Sequence, residues 1–323
     1  MLNEANEKRI KKISDNSIKT YNSNLKILNK LITNADTIKN IDFVRDVDKI
    51  METLKDKSTS TKRNYITAIV VLLKLMNEPE LLEKYTALMM DLNEKVSDNY
   101  DKNEKTKKQE DNWVEYKEIL KLLKKYKNDT SHLFEKEELT SKEQDLIQQY
   151  LILYLYSGKA FPIIRNDFAD MQVVNNEDNL DSNKNYLVIP TKRKMPYFHL
   201  GEFKTKKSKS NNNEPYIIKL EDRELKKLIH KWLKITKNDY LLINLSGNQK
   251  TPKGSPMTAN GITKYLQKIF LKHLGKSIST SLLRSIYISH KYKQNLNTKE
   301  KKELAVDMLH SKPMAEEVYN KIV

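Results

Sequence analysis

The chain contains no cysteine, which excludes disulfides, thiolate-held zinc and a cysteine nucleophile. Long apolar runs are missing too. Nowhere do eighteen consecutive apolar residues occur, so no segment reads as a membrane-spanning helix. The opening stretch MLNEANEKRIKK lacks the apolar centre of a secretory leader. These absences fit an intracellular protein. Arginine is scarce: seven of the 59 basic residues, at Arg9, Arg45, Arg63, Arg165, Arg193, Arg223 and Arg284. Where lysine is the default cation, an arginine marks a position that needs a planar, bidentate donor.

What is present is charge, unevenly spread. The net charge is +16 over 323 residues. Residues 1–112 hold 21 basic and 19 acidic side chains, a net of +2, whereas 113–323 hold 38 and 24, a net of +14. A basic excess gathered into one half is the footprint of a polyanion binder, most often one for nucleic acid. The competing reading is a lysine-rich composition that only keeps a helical scaffold in solution. The length exceeds what one hydrophobic core usually fills, so two domains are expected.

Helical spacing predicts a first domain over 1–97, with helices at 14–30, 41–57, 58–76 (capped by Ser58 or Ser60) and 81–96. Residues 98–112, polar except for Tyr100, read as an exposed linker. A second domain over 113–323 begins with helices at 113–126 and 142–158, the latter apolar almost all round. Strand signals follow at 185–189, 196–203 and 215–220, with a basic hairpin tip at 204–214. Helices resume at 222–235, 259–275, 279–295 and 298–310, before a terminal helix broken at Pro313. The fold class expected is mainly α, α+β overall: a helical N-terminal domain, then a helical domain carrying a small antiparallel sheet.

Five residues of the second half could act together: Arg165, Lys204, Arg284, His310 and Tyr319. Taken singly each has a bland role. Tyr319 would pack, His310 would face a helix C-terminus, Arg165 would pair with Asp167 or Asp170, and Lys204 would be one lysine of a solvated loop. Arg284 is harder to dismiss, because it sits among Leu282, Leu283, Ile286 and Tyr287 and must find a partner if buried. Taken together, they are what a tyrosine nucleophile on DNA requires. Guanidiniums stabilise charge developing on phosphorus, a general acid protonates the leaving oxygen, and a tyrosine approaches in line. Neither a metal nor a nucleotide cofactor is needed.

This order, Arg-Lys-Arg-His-Tyr behind a small helical domain, resembles the tyrosine recombinases, or phage-type integrases, and in particular divergent members from large DNA viruses and eukaryotic mobile elements. The stretch MLHSKPMAEEVYNKI is similar to the family's Gly-His-Ser-…-Tyr box, with nine residues from His310 to Tyr319 and Leu309 at the glycine position. SLLRSIYIS resembles the Leu-Arg-His-x-x-x-Thr helix through Leu283, Arg284 and Ser289. Two departures sit there: Ser281 stands where the family has His or Lys, and Ser285 replaces the following His. FPIIRNDF resembles a proline-led PxxRxDY pattern, making Arg165 the first guanidinium and Asp167 its buttress, although a strict Thr-Gly-x-Arg register would fall on Ala160. In the first domain, Ser17-Ile18-Lys19-Thr20-Tyr21 stands for a Thr-x-x-x-Tyr opening and STSTKRNY for a further helix start.

The resemblance implies a core-binding domain at 1–97 and a catalytic domain at 113–323. Tyr319 would attack the scissile phosphate to form a 3′-phosphotyrosyl link. Arg165 and Arg284 would hold the nonbridging oxygens, His310 would hydrogen-bond the phosphate, and Lys204 would be the general acid on a hairpin. Lys206 and Lys207 share that hairpin, which leaves the lysine register open. Asp167 and Ser281 are supporting candidates, and Lys62, Arg63, Lys206 and Lys207 are DNA-binding candidates. The partner implied is double-stranded DNA, with a homo-tetramer on paired sites, compatible with a monomer in solution. No membrane is involved, and the setting is wherever DNA is accessible: cytoplasm, nucleus or viral factory. A type IB topoisomerase resembles the same catalytic set, and the departures at Ser281, Ser285 and Leu309 also fit a relative that binds DNA without cutting it.

Overall fold

The computed structural model describes residues 2–7, 13–178, 180–191, 194–206, 213–247, 251–311 and 313–321. It divides into two compact units, Met1–Lys102 and Asn103–Val323.

The first unit is helical throughout: α1 (Leu2–Glu7), α2 (Asp15–Thr33), a 3₁₀ turn at Asp42–Val44, α3 (Val47–Thr53), α4 (Thr59–Met76) and α5 (Pro79–Asp101). Ser14 and Ser58 cap α2 and α4 by accepting from Ser17 N and Thr61 N. Each of these two helices ends in a left-handed asparagine, Asn34 and Asn77. Ile18, Leu25 and Leu28 of α2 share a core with Ile66, Ile69, Leu72 and Leu73 of α4. Tyr85 of α5 lies in the same core and donates to Val44 O at 2.8 Å.

The stretch expected as a linker is partly helical. Helix α5 runs into it, and α6 (Lys107–Asn112) forms within it. A capping box, Thr106 with Gln109, closes α6 at its start. A polar segment with no apolar face can be helical for one turn when its end groups are satisfied in this way.

The second unit is built on α7 (Tyr116–Ser131) and α8 (Ser141–Leu155). Helix α8 is buried on every face over Ile147–Leu155, and two glutamines lie within that stretch. Gln148 is tolerated because its amide copies a backbone: Nε2 donates to Ile243 O and Oε1 accepts from Ile243 N, both at 3.0 Å. The sheet comprises β1 (Gln172–Val174), β2 (Asn185–Val188), β3 (Tyr197–Leu200) and β4 (Tyr216–Lys219), in the order β1-β2-β3-β4. The pairs β2–β3 and β3–β4 are antiparallel, but β1 runs parallel to β2. The sheet is therefore mixed rather than wholly antiparallel, and its three-residue edge strand is too short to display alternation. Helices α9 (Arg223–Thr236), α10 (Ala259–Leu274), α11 (Thr280–Tyr292) and α12 (Thr298–Asp307) complete the unit. A final π-helical turn, Met314–Tyr319, follows Pro313. No helix among the described residues is long and apolar enough to cross a membrane.

Candidate active site

Helix α11 carries the deepest charge of the second unit. Ser279 caps its start by accepting from Leu282 N, and Leu282 to Ser289 are all buried. Arg284 is only 1% exposed. Its Nη2 donates to Met308 O at 3.0 Å, while Nε and Nη1 are buried with no hydrogen-bond partner. The guanidinium lies 4.9 Å from the centre of the Tyr319 ring, a cation–π contact. Burial lowers its pKa to about 10, opposed by Tyr319 and Asp167 and reinforced by Arg165, so it stays charged at neutral pH.

Arg165 and Asp167 sit on the irregular segment after α8. The chain leaves that helix through Gly158, at φ +71°, where a Cβ would run into the Tyr287 ring. Beyond it the backbone is pinned on both sides. Tyr156 Oη donates to Arg165 O at 3.1 Å, and Asn185 Nδ2 to Asp167 O at 2.9 Å. Between them Asn166 donates to Ala259 O and Thr263 Oγ1, both at 2.8 Å, and accepts from Thr280 Oγ1 at 2.6 Å. So held, Arg165 Nη1 donates to Leu309 O at 2.8 Å. Asp167 Oδ2 is buried without a partner. Burial raises the Asp167 pKa to about 6 against the pull of Arg165 and Arg284.

Both guanidiniums thus dock on consecutive carbonyls of one turn, where α12 ends. Leu309, the residue in the expected glycine position, adopts φ +57°. The turn is closed by Leu309 N to Val306 O at 2.8 Å and His310 N to Ala305 O at 3.0 Å. His310 is 6% exposed and its ring stacks on Tyr319, with centroids 5.2 Å apart and planes 12° apart. Its Nδ1 is 3.3 Å from Ser311 O. A carbonyl only accepts, which assigns the proton to Nδ1 and leaves Nε2, buried and unpartnered, as the bare nitrogen. Burial, followed by the charge of Arg284, lowers the His310 pKa to about 3. Tyr319 ends the π-helical turn, and the chain beyond it is tied to α11 by Lys321 N donating to Ser289 Oγ at 2.8 Å.

No protein-family model matches the chain, and no curated protein matches it. Among solved structures it is similar to the crystal structure of XerA recombinase, at a TM-score of 0.39 and 11% sequence identity, over 96% of this chain and 89% of that one. At that level of likeness the site has to stand on its own geometry.

Four of the five sequence candidates are joined by direct contacts: Arg165 and Arg284 on the 308–309 carbonyls, with His310 and Arg284 on the Tyr319 ring. Lys204 is exposed, but its neighbour Thr205 donates from Oγ1 to Leu309 O at 3.0 Å, the oxygen that Arg165 also holds. Lys206, grouped with the DNA contacts, is turned inward: it is 5% exposed and its ammonium donates to Ser182 O. Lys207 lies outside the described residues. Ser281 is exposed in the first turn of α11, and its carbonyl accepts from Ser285 Oγ at 3.4 Å. Lys62 and Arg63, both half-buried, occupy the first turn of α4 in the other unit. Sequence reasoning missed Thr205, Asn166 and the two docking carbonyls. Only the asparagine adjoining Arg165 carries a signal that could have been read, since a short amide beside a buried charge commonly fixes a loop. Chemically the cluster combines two cations, unpartnered buried N–H donors on Arg284 and a bare imidazole nitrogen beside a phenol. That set suits a small anion brought against Tyr319.

Proposed function

We propose that the chain is a site-specific DNA recombinase or integrase that cuts and rejoins double-stranded DNA through a 3′-phosphotyrosyl intermediate. The observation that carries this reading is the Tyr319 ring in contact with both the His310 imidazole and the Arg284 guanidinium, whose Nε and Nη1 are buried and unpartnered. A buried cation with idle donors is costly unless an anion arrives to use them, and the scissile phosphate supplies one. In the step itself Tyr319 Oη forms a bond to phosphorus as the P–O5′ bond breaks. The phenolic proton passes to solvent, and His310 hydrogen-bonds a nonbridging oxygen, the phosphate's negative charge raising its pKa from about 3. Arg165 and Arg284 stabilise the charge on the other oxygens. Lys204 gives a proton to the departing 5′ oxygen, and a 5′-hydroxyl from a partner strand reverses the sequence to release the tyrosine. Residues 1–97 serve as the core-binding domain, joined by 98–112 to the catalytic domain at 113–323, and four copies assemble on paired sites.

A covalent trap tests this. The protein is mixed with nicked suicide duplexes drawn from randomised and genomic sequence, then denatured in SDS without metal. The expected result is a protein–DNA adduct that Tyr319→Phe abolishes. An adduct that survives the substitution moves the nucleophile elsewhere. Tight DNA binding with no adduct favours a binder that does not cut, and relaxation of supercoiled DNA by a monomer favours a topoisomerase.

A further inference from the structure

Lys204 occupies the second position of a tight turn. Lys206 N donates to Phe203 O at 3.0 Å, closing Phe203-Lys204-Thr205-Lys206 in the i to i+3 manner. Three of these four residues are anchored. Phe203 is 5% exposed within the core, Lys206 is equally buried with its ammonium on Ser182 O, and Thr205 Oγ1 reaches Leu309 O at 3.0 Å. Lys204 alone is exposed, and its side chain makes no hydrogen bond or ion pair with the described residues.

The Thr205 bond differs from the other two anchors because of where it ends. Leu309 O also accepts from Arg165 Nη1 at 2.8 Å, so both lone pairs of one carbonyl are in use. That carbonyl belongs to the residue before His310. One oxygen therefore ties together the arginine segment after α8, the turn leaving β3, and the end of α12. The bond from Thr205 Oγ1 to Leu309 O joins the Lys204 turn directly to the Met308–His310 turn. Phe203 and Lys206 hold the turn to its own sheet and loop, whereas the Thr205 hydroxyl registers it against the reacting groups.

We propose that Thr205 is a positioning residue for the leaving-group proton donor, its hydroxyl fixing the turn from which Lys204 reaches the 5′ oxygen. This rests on the strand-transfer reading above. Proton transfer requires the donor within about 3 Å of its acceptor, and a lysine on a loosely held turn would sample that position rarely.

A leaving group that needs no proton isolates the effect. DNA captured by the wild-type protein from a randomised duplex pool is sequenced to define a cleavage site. That site is then made with ordinary O5′ and with sulfur replacing the bridging O5′. When P–O5′ breaks, the oxygen takes a proton from the Lys204 ammonium. When P–S breaks, the sulfur departs as a thiolate without a proton donor, because thiols, which ionise near pH 8.5, are far more acidic than alcohols. Thr205→Val keeps the shape and loses the hydroxyl. It should slow cleavage of the oxygen substrate by roughly 10- to 100-fold, within the range of general acid catalysis, while the sulfur substrate is cleaved at the wild-type rate. Thr205→Ser should restore the oxygen rate, and Lys204→Ala should show the same selective loss more strongly. Equal slowing of both substrates by Thr205→Val, not reversed in Thr205→Ser, would overturn the proposal in favour of a structural role. So would an oxygen rate that Thr205→Val leaves unchanged. Equal slowing by Lys204→Ala would overturn it as well, while leaving the strand-transfer reading intact. A wild-type protein that captures no DNA at all refutes that reading itself, and this assignment with it.

Discussion

His310 and Asp167 are buried in the same cluster and respond to pH in opposite senses. The imidazole titrates near 3 in the folded protein and near 6.5 when free. Between those values the unfolded chain binds a proton that the native site refuses. Stability is therefore lost as pH falls through 6.5 and continues to fall towards 3, by up to about 1.4 kcal/mol per pH unit. The Asp167 carboxyl titrates near 6 against 3.8 when free. Across that window the folded protein keeps a proton that the unfolded chain has released, so its contribution is lost as pH rises from 3.8 to 6. The two slopes largely cancel between pH 4 and 6, and substitution separates them. Relative to wild type, His310→Asn should gain melting temperature as pH is lowered from 6.5 to 4. Asp167→Asn should gain it as pH is raised from 4 to 6. Melting curves that stay parallel to wild type across this range would mean that neither side chain titrates as its surroundings dictate.

At the scale of the element, the end of α12 sets two local preferences against each other. A left-handed conformation costs a non-glycine residue about 1–2 kcal/mol, and Leu309 accepts it at φ +57°. The leucine is also 2% exposed, and truncating a buried leucine costs about 2–5 kcal/mol. Burial wins, which is why a glycine is dispensable at a position shaped for one. Leu309→Gly should therefore destabilise by about 2–4 kcal/mol, but Leu309→Ala should be worse by about 1 kcal/mol, since it loses the same packing without relieving the backbone. Chemical denaturation of the two variants checks the order, and an alanine variant as stable as the glycine variant removes strain from the account. This turn also marks the limit of what the sequence makes legible. Helices such as α4 and α11 are legible because capping serines and apolar spacing are written locally. The box from His310 to Tyr319 is legible as a spacing. The carbonyl of Leu309 is not, because a backbone acceptor has no residue identity, and what makes it a hub are partners 144 and 104 residues away. Strand β1 is hidden for a similar reason: three residues carry no period, and only the β2 register defines them. The inward turn of Lys206 depends on a carbonyl 24 residues distant, so composition alone counted it among the free lysines.

At the scale of the whole molecule, the surplus of lysine becomes meaningful once the acids are placed. Several of the second half's carboxylates are already neutralised within the chain. Glu224 takes both Lys127 and Lys159, at 3.0 and 2.7 Å, and Glu143 takes Lys136 at 2.5 Å. Asp145 lies 3.7 Å from Lys268 while also accepting from Tyr265 and Gln149. Each such pair cancels one charge of either sign, so the net of +14 over 113–323 is a surplus of cations that these pairs do not remove. Pairs of this exposed kind contribute little stability, about 0–1 kcal/mol each, so their effect here is to leave the field of the remaining cations unopposed. A surface of that kind binds duplex by releasing counterions. If it neutralises about 6–10 phosphates, affinity for non-specific duplex should fall by about 10³- to 10⁵-fold between 50 and 200 mM salt. Replacing both Lys62 and Arg63 with alanine should flatten the slope of log K against log salt by about 2, at roughly 0.9 per phosphate contact. The yield of covalent adduct at saturating DNA should not change, because neither residue belongs to the cluster around Tyr319. Fluorescence anisotropy on a duplex of arbitrary sequence reads both slopes. A slope near zero for the wild-type chain would return the lysine excess to a solubility role, and an unchanged slope in the double variant would take α4 out of the DNA-binding surface.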